Sequence, residues 1–112
     1  MCLFCKIANK EIPGKILFED DHLVAFADLH PAAPTHALVI PRKHMVSLNE
    51  AEPADAELLG KLLLAAQRVA REAKIADSGW RAVVNSGAHA GQSVFHVHVH
   101  VLGGRPMAWP PG

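Results

Sequence analysis

The chain has 112 residues, 11 basic and 11 acidic side chains, and a hydrophobic content of 50%. This length predicts one domain, residues 1–112, with a core that needs no disulfides. The zero net charge and the lack of a basic or aromatic-interleaved run argue against nucleic acid as a partner. With no signal-peptide pattern and no apolar run that could span a bilayer, the sequence predicts a soluble, cytoplasmic protein without a membrane partner.

The first part of the chain predicts one short helix and three strands. In order these are a helix over 4–11 and strands over 15–19, 23–28 and 37–40. A Pro-Gly pair ends the helix, and a polar turn joins the first two strands into a hairpin. A proline ends the third strand.

The remaining elements are a long helix and two further strands. Proline at 53 with acidic neighbours begins the helix, which runs to about 73 or 74 with apolar residues, Leu63 among them, at three- and four-residue steps. Strands follow over 80–85 and 94–102, separated by a glycine-bearing loop. This order predicts an α+β fold with a five-stranded antiparallel sheet, one long helix and one short helix.

Three histidines alternate with valines in the last strand: His96, His98 and His100. Alternation places the imidazoles on one face of the strand and the valines on the other, where they can pack on a core. A stripe of three imidazoles is more than a core can use, and imidazole acts as nucleophile, acid, base or metal ligand near neutral pH. His96 and His100 are about 13 Å apart along a strand, so one zinc ion cannot bind all three, although two neighbours could share an ion.

The only two cysteines, Cys2 and Cys5, have C-x-x-C spacing. One pair makes no disulfide framework, and a thioredoxin-like site needs a preceding strand. The pair is therefore either half of a zinc site, completed by histidine, or two free thiols at a frayed terminus.

The segment GQSVFHVHVHVL, residues 91–102, resembles the His-x-His-x-His signature of the histidine triad (HIT) family. FEDDHLVAFADLHPAAPTHALVIPRKH and VVNSGAHAGQSVFHVHVHVLGGRPMAWPPG are similar to the two halves of its Hint branch. The resemblance implies a HIT-like fold that dimerises into a ten-stranded sheet, with the tail 103–112 docked near the dimer interface. It also implies hydrolysis of purine nucleoside 5′-phosphoramidates to the nucleoside monophosphate and an amine.

The resemblance assigns roles to four catalytic candidates. His98 is the nucleophile, and it forms a nucleotidyl-histidine that water hydrolyses. His100 donates to a phosphate oxygen, as a positioned donor can. His36 supports a proton relay, and Ser93 positions or protonates the leaving nitrogen.

The resemblance also implies a set of substrate-binding residues. Asp28 accepts hydrogen bonds from the ribose, a base sandwich forms at the apolar positions, and polar side chains hold the phosphate. The residues are Asp28, Leu29, Phe26, Asn85 and Gln92, with Trp109 of the tail reaching the partner's active site. Asp28 could instead cap the loop before Pro31, and Ser93 and Asn85 could be ordinary turn residues.

Zinc-bearing members of the wider family combine two N-terminal cysteines with a histidine after the central strand and the first triad histidine. By resemblance these ligands are Cys2, Cys5, His44 and His96, a closed tetrahedral set typical of structural zinc. The other three histidines match no catalytic position and are expected to face solvent: His22, His30 and His89.

Three other functions compete with the phosphoramidase. A dinucleoside polyphosphate hydrolase is the first, but Ser93 and the WPPG ending favour the Hint branch. A non-catalytic nucleotide-binding or scaffold protein is the second, and the complete set of catalytic residues argues against it. The third is a zinc-dependent hydrolase that uses two triad histidines as ligands.

Overall fold

The structure, a computed structural model, describes residues 2–112. Two helices, α1 (Leu3–Ala8) and α2 (Ala56–Glu72), accompany one five-stranded sheet. The strands are β1 (Ile16–Glu19), β2 (Leu23–Ala27), β3 (Thr35–Pro41), β4 (Trp80–Val83) and β5 (Val99–Gly103). Their order in the sheet is β1-β2-β3-β5-β4, and every neighbouring pair is antiparallel. The predicted α+β class, sheet and helix pair are confirmed.

Helix α1 is short because its two ends are fixed by local contacts. The Cys2 Sγ accepts a hydrogen bond from the Cys5 N–H at 3.1 Å and caps the first turn. The helix ends at Ala8, three residues before the predicted end, because Lys10 adopts a left-handed conformation with φ of 59°. Arg42 then donates to the Ala8 carbonyl at 3.0 Å, which anchors this end to the sheet.

Helix α2 packs on the face of the sheet opposite α1. Its start was predicted three residues too early, because Pro53–Asp55 form a 3-10 turn with reciprocal capping by Glu52 and Asp55. The predicted apolar stripe is buried or partly buried except at Leu63, which is 55% exposed. The core on this side combines residues of α2 with the valines of the triad segment: Leu62, Ala65, Ala66, Val69, Ala70, Val97, Val99 and Val101.

The prediction of a strand over 94–102 is wrong at its beginning, since β5 starts only at Val99. Residues before it make hydrogen bonds other than those of a β-ladder. The Val97 N–H donates to the Met45 carbonyl at 2.8 Å, and the His96 Nε2 donates to the Pro41 carbonyl at 2.8 Å. The alternation of faces nevertheless persists through this irregular stretch.

A second, smaller core lies between α1 and the other face of the sheet. It comprises Phe4, Ile7, Ala8, Val24, Phe26, Leu38 and Ile40. The triad imidazoles belong to this face: the Phe4 ring lies 6.1 Å from the His96 ring and 5.0 Å from the His98 ring, centroid to centroid. Among residues 2–112, no helix combines the length and apolar character needed to cross a membrane.

Candidate active site and metal centre

His98 is held by the backbone of the residue two positions before it. Its side chain is almost completely buried, and its Nδ1 lies 2.7 Å from the His96 carbonyl oxygen. A carbonyl oxygen only accepts, so Nδ1 carries the hydrogen and Nε2 keeps its lone pair. A neutral imidazole with this lone pair available is a competent nucleophile.

His36 and His100 form a hydrogen-bonded pair of defined polarity. The Ala32 N–H donates to His36 Nδ1 at 2.9 Å, so the hydrogen of neutral His36 is on Nε2. That Nε2 lies 2.9 Å from His100 Nδ1 and 3.3 Å from the Asp28 Oδ2. His100 Nδ1 is therefore the acceptor, and His100 carries its own hydrogen on Nε2.

Burial keeps both members of this pair neutral at pH 7. Burial lowers the pKa of His36, and the Asp28 carboxylate only partly opposes this shift. Burial, together with neighbouring His98 and His36, lowers the pKa of His100 to about 4. His100 is therefore a neutral N–H donor, suited to a phosphoryl oxygen that gains charge in a transition state.

A cleft of about 370 Å³ is bounded by His98 and His100. It gathers the predicted residues Phe26, Asp28, Leu29 and Ser93 with these two histidines. Its apolar wall also includes residues of α1 that the sequence did not single out: Leu3, Phe4 and Ile7. Such a cleft, apolar with a few convergent polar groups, is typical of a small-molecule site.

A second cavity of about 410 Å³ borders Asp28 and His36 from the side of α2. Leu17, Val69 and Glu72 contribute to its lining, whereas His98 and His100 do not. The smaller cleft is thus the one in which a substrate could meet His98, the candidate nucleophile.

Four side chains converge beside the cleft as a candidate metal centre. The Cys2 Sγ and Cys5 Sγ lie 3.3 and 3.4 Å from His96 Nδ1 and 3.5 and 3.4 Å from His44 Nδ1. The two histidine nitrogens are 3.1 Å apart. A tetrahedral zinc places such ligand atoms about 3.3 to 3.8 Å apart, so the group is close to that geometry, with only the two histidine nitrogens slightly nearer to each other.

The tautomer of His96 also suits a metal ligand. Its Nε2 donates to the Pro41 carbonyl, which leaves the Nδ1 lone pair directed at the two thiols. A ligand histidine commonly donates its other N–H to a carbonyl in this way. Burial and the neighbouring Cys2 raise the pKa of the Cys5 thiol, so metal binding must displace its proton. These residues fit a structural zinc.

The group Asp28, His36 and His100 is also compact enough for a cation, with its three ligand atoms within 4.8 Å of one another. Its hydrogen positions oppose this use. His36 would have to offer a bare Nε2, yet its Nδ1 already accepts the Ala32 N–H. This conflict argues against a metal ion at this group, which contains only one histidine of the triad.

The HIT domain profile matches residues 9–107 of this sequence. The chain belongs to the HIT domain family. A HIT family hydrolase from Legionella pneumophila is 47% identical, with a TM-score of 0.98 and complete coverage of both chains. A histidine triad nucleotide-binding protein from Candida albicans is 30% identical with a TM-score of 0.83, covering 98% of this chain and 83% of its own. A Zn-bound histidine triad family protein from Mycobacterium smegmatis is 33% identical with a TM-score of 0.81, covering 93% and 75%.

Gln92 of this HIT domain is buried and engaged by the loop that carries His44. Its Nε2 donates to the Val46 carbonyl at 2.6 Å and to the Val94 carbonyl at 3.1 Å, and its Oε1 accepts from the Gly87 N–H at 2.9 Å. Both amide hydrogens are thus used within the protein, and a phosphate contact of this side chain stays a prediction. Sequence reasoning did not find this bracing role, which only the loop geometry reveals.

Asn85 and Trp109 do not line the cleft of this chain. Asn85 follows the end of β4 and is half-buried, whereas Trp109 is 80% exposed. The tail of the HIT domain is fixed to its own chain: Arg81 donates to the Ala108 carbonyl at 2.8 Å, and Arg105 donates to the Ala32 carbonyl at 3.0 Å. The expected exposure of His22, His30 and His89 is confirmed.

Proposed function

We propose that this HIT domain hydrolyses purine nucleoside 5′-phosphoramidates to the nucleoside monophosphate and an amine. The observation that carries the proposal is His98 in the cleft, with Nδ1 committed to the His96 carbonyl and the Nε2 lone pair available. The similarity to a HIT family hydrolase and to a nucleotide-binding histidine triad protein supports a nucleotide hydrolase at the level of the family.

In the first half-reaction, the His98 Nε2 lone pair forms a bond to the α-phosphorus while the bond from phosphorus to the leaving nitrogen breaks. The leaving nitrogen keeps that electron pair and takes one proton, which we assign to the Ser93 hydroxyl lining the same cleft, itself reprotonated from water. The His96 carbonyl stabilises the positive charge on the substituted imidazole through Nδ1–H. His100 donates its Nε2–H to a phosphoryl oxygen.

In the second half-reaction, water attacks the phosphorus and the bond to His98 Nε2 breaks, which returns the lone pair to the imidazole. One water proton stays on the product oxygen. The other is released and replaces the proton that the amine took in the first half-reaction. The two steps share the same donor from His100 and the same anchor at the His96 carbonyl, so one geometry serves both.

Recognition of the nucleoside follows from the remaining cleft residues. Asp28 is the carboxylate of the cleft and can accept hydrogen bonds from the ribose diol. Phe26 and Leu29, with the Phe4 ring of α1 in contact with Phe26 at 5.5 Å between centroids, offer apolar surface to a purine. A base in this position would bury apolar area without requiring a charged partner, consistent with the balanced charge of the chain.

We also propose one structural zinc held by Cys2, Cys5, His44 and His96. The ion supplies no step of the reaction; it would tie α1 to the loop after β3 and to the triad segment. The Zn-bound relative supports metal binding in this family, and the geometry and tautomer of His96 support it in this chain.

The working unit that we propose is a homodimer joined through β4. This strand is an edge of the sheet, and beside it lies an apolar hollow of about 230 Å³ bordered by Leu48, Leu63 and Val84. Pairing two copies at β4 would extend the sheet to ten strands and place the exposed Trp109 near the second copy. Trp109 would there contribute to the partner's substrate site.

The function is tested by His98→Ala assayed on adenosine 5′-phosphoramidate. We expect a loss of at least about three decades in turnover with retained AMP binding, since the variant lacks the covalent nucleophile. The exposed His89→Ala serves as a matched control and should keep wild-type turnover. Acid-free trapping should show nucleotide on the wild-type chain and none on His98→Ala.

Near wild-type activity in His98→Ala would refute the nucleophile assignment. Diadenosine polyphosphates assayed in parallel test the alternative of a dinucleoside polyphosphate hydrolase. Faster turnover of these compounds than of the phosphoramidate would favour that alternative. AMP binding without turnover of either substrate class would favour a nucleotide-binding protein instead.

A further inference from the structure

Ser93 has no hydrogen bond of its own that would hold its side chain in the cleft. The residue is exposed and lines the cleft, and within residues 2–112 its hydroxyl has no hydrogen-bond partner. Its place beside the substrate therefore depends on the backbone of residues 92–94. The group that we assign to protonate the leaving nitrogen is thus positioned by its neighbours.

The buried carboxamide of Gln92 fixes this backbone. Its Nε2 donates at 3.1 Å to the Val94 carbonyl, which closes a hydrogen-bonded ring around Ser93. The same NH2 group donates to the Val46 carbonyl at 2.6 Å, and Oε1 accepts the Gly87 N–H at 2.9 Å. Three separate stretches of backbone therefore meet at one side chain.

The carboxamide of Gln92 satisfies these partners with no hydrogen to spare. A buried N–H needs an acceptor and two carbonyls need donors, so the partners select the orientation of the amide. Both hydrogens of the NH2 group are used on the two carbonyls. A phosphate would have to break one of these bonds before it could bind to this side chain.

We propose that Gln92 is a positioning residue that holds Ser93 where its hydroxyl can pass a proton to the leaving nitrogen. The inference rests on the proposed function, and it adds a residue that acts through Ser93 and does not touch the substrate. The bond to Val46 extends this role to the loop of the proposed zinc ligand His44, two positions earlier in the chain. One side chain thus joins the candidate metal centre to the group that serves the leaving amine.

A leaving group that needs no proton distinguishes this role from a contact with phosphate. The amine of an AMP N-alkyl phosphoramidate must take a proton as it departs, whereas the phenolate of AMP p-nitrophenyl ester leaves as a stable anion. Both substrates form the same nucleotidyl intermediate on His98, and kcat/KM reports its formation. Loss of the positioned proton donor should therefore lower kcat/KM for the phosphoramidate much more than for the ester. Loss of a phosphate contact should lower both values equally.

Two substitutions of Gln92 test the proposal. Gln92→Met loses all three hydrogen bonds, whereas Gln92→Glu keeps an acceptor for the Gly87 N–H and so retains more of the local structure. In both variants the ratio of kcat/KM for the phosphoramidate to kcat/KM for the ester should fall at least about tenfold, as it should in Ser93→Ala. In the Ser93→Ala background, Gln92→Met should change the ratio less than about twofold, because the group that Gln92 positions is already gone.

Ser47→Ala is the matched control. Ser47 is as buried as Gln92, and its hydroxyl accepts the Asn49 N–H at 3.1 Å in the loop that also contains Val46. The variant loses a buried hydrogen bond without touching Ser93, so the ratio should stay at the wild-type value. Because the ratio compares two substrates on one preparation, it does not depend on the fraction of chains that are folded.

Backbone ¹⁵N relaxation of the ligand-free proteins gives a readout that needs no turnover. The order parameter of the Ser93 amide should fall in Gln92→Met and should be unchanged in Ser47→Ala, because only the first variant opens the ring around Ser93.

Equal losses for the two substrates in the Gln92 variants would overturn the inference and favour a direct phosphate contact. A further fall of the ratio in the Ser93→Ala background, or an unchanged order parameter for Ser93 in Gln92→Met, would also overturn it. Failure of the wild type to turn over the phosphoramidate would instead refute the proposed function. The relaxation measurement would still report whether Gln92 holds Ser93 in that case, so the two failures are distinguishable.

Discussion

Removing the proposed zinc should release α1 from the rest of the protein while the sheet stays folded. The perturbation is either a zinc chelator or the double substitution Cys2→Ser and Cys5→Ser. Serine is a good N-cap, so the double variant keeps the capping of the first helical turn and loses chiefly the metal ligands. The difference between the two proteins therefore reports the metal.

The expected size of the effect follows from how little else holds α1. Burial of Phe4 and Ile7 contributes about 1.5 to 3 kcal/mol each, hence about 3 to 6 kcal/mol together. Ordering the six residues of α1 costs about 1 kcal/mol or more per residue, so about 6 kcal/mol at the low end. These terms nearly cancel, and a helix of this length is not stable alone. The proposed zinc ligation would therefore decide whether α1 stays docked.

Hydrogen exchange read by mass spectrometry checks this expectation. With zinc, amides of α1 should be protected; with chelator, or in the double variant, their protection should fall to nearly that of an unfolded segment. Strands β2, β3 and β5 should keep their protection in all samples. Because Leu3, Phe4 and Ile7 line the cleft, AMP affinity should fall in parallel. Unchanged exchange over residues 3–8 after complete zinc removal would refute this reasoning.

Two further predictions concern pH and the tail. Because the folded-state pKa of His100 is about 4, below the value of about 6.5 in an unfolded chain, the unfolded state binds more protons between these pH values. The contribution of neutral His100 to stability is thus complete above about pH 6.5 and is lost as the pH falls toward 4. The urea midpoint should fall over this range, less steeply in His100→Gln and as steeply as in the wild type in the exposed control His89→Gln. Midpoints independent of pH would contradict this expectation. Truncation after Gly104 should change the preference among leaving amines more than it changes AMP binding, and the intact chain should sediment as a dimer. A fully active monomer, or an unaltered amine preference in the truncated chain, would count against the proposed role of the tail.

The alternation of the triad was enough to predict which side chains share a face, but not where the strand begins. Side-chain direction follows from sequence period alone, and Val97 and His98 lie on the expected sides. A strand boundary depends on partners distant in sequence. Here the Met45 carbonyl takes the Val97 N–H that a ladder would have used, and nothing in residues 94–98 indicates this.

The hydrogen positions in the candidate site were less predictable than the identity of the residues that form it. His98 and His36 were identified as candidates, but their hydrogen positions depend on the His96 carbonyl and the Ala32 N–H, which are backbone groups present at every position of any sequence. The contribution of Phe4 was missed for a similar reason. An apolar residue in a short N-terminal helix carries no signal of the cleft that the fold brings beside it.

The placement of the tail against β4 has a consequence for solubility. An edge strand exposes unpaired backbone groups on which other chains can polymerise, and proteins limit this with short edges and charged side chains. Strand β4 has only four residues, and its Arg81 is tied to the Ala108 carbonyl with the Trp109 ring 6.0 Å from its guanidinium. In the proposed homodimer the second copy would occupy this edge, so the short strand and its charged side chain would limit pairing with other chains before the dimer forms. We therefore expect the last residues of the chain to limit aggregation of the monomer, in addition to being a candidate part of the substrate site.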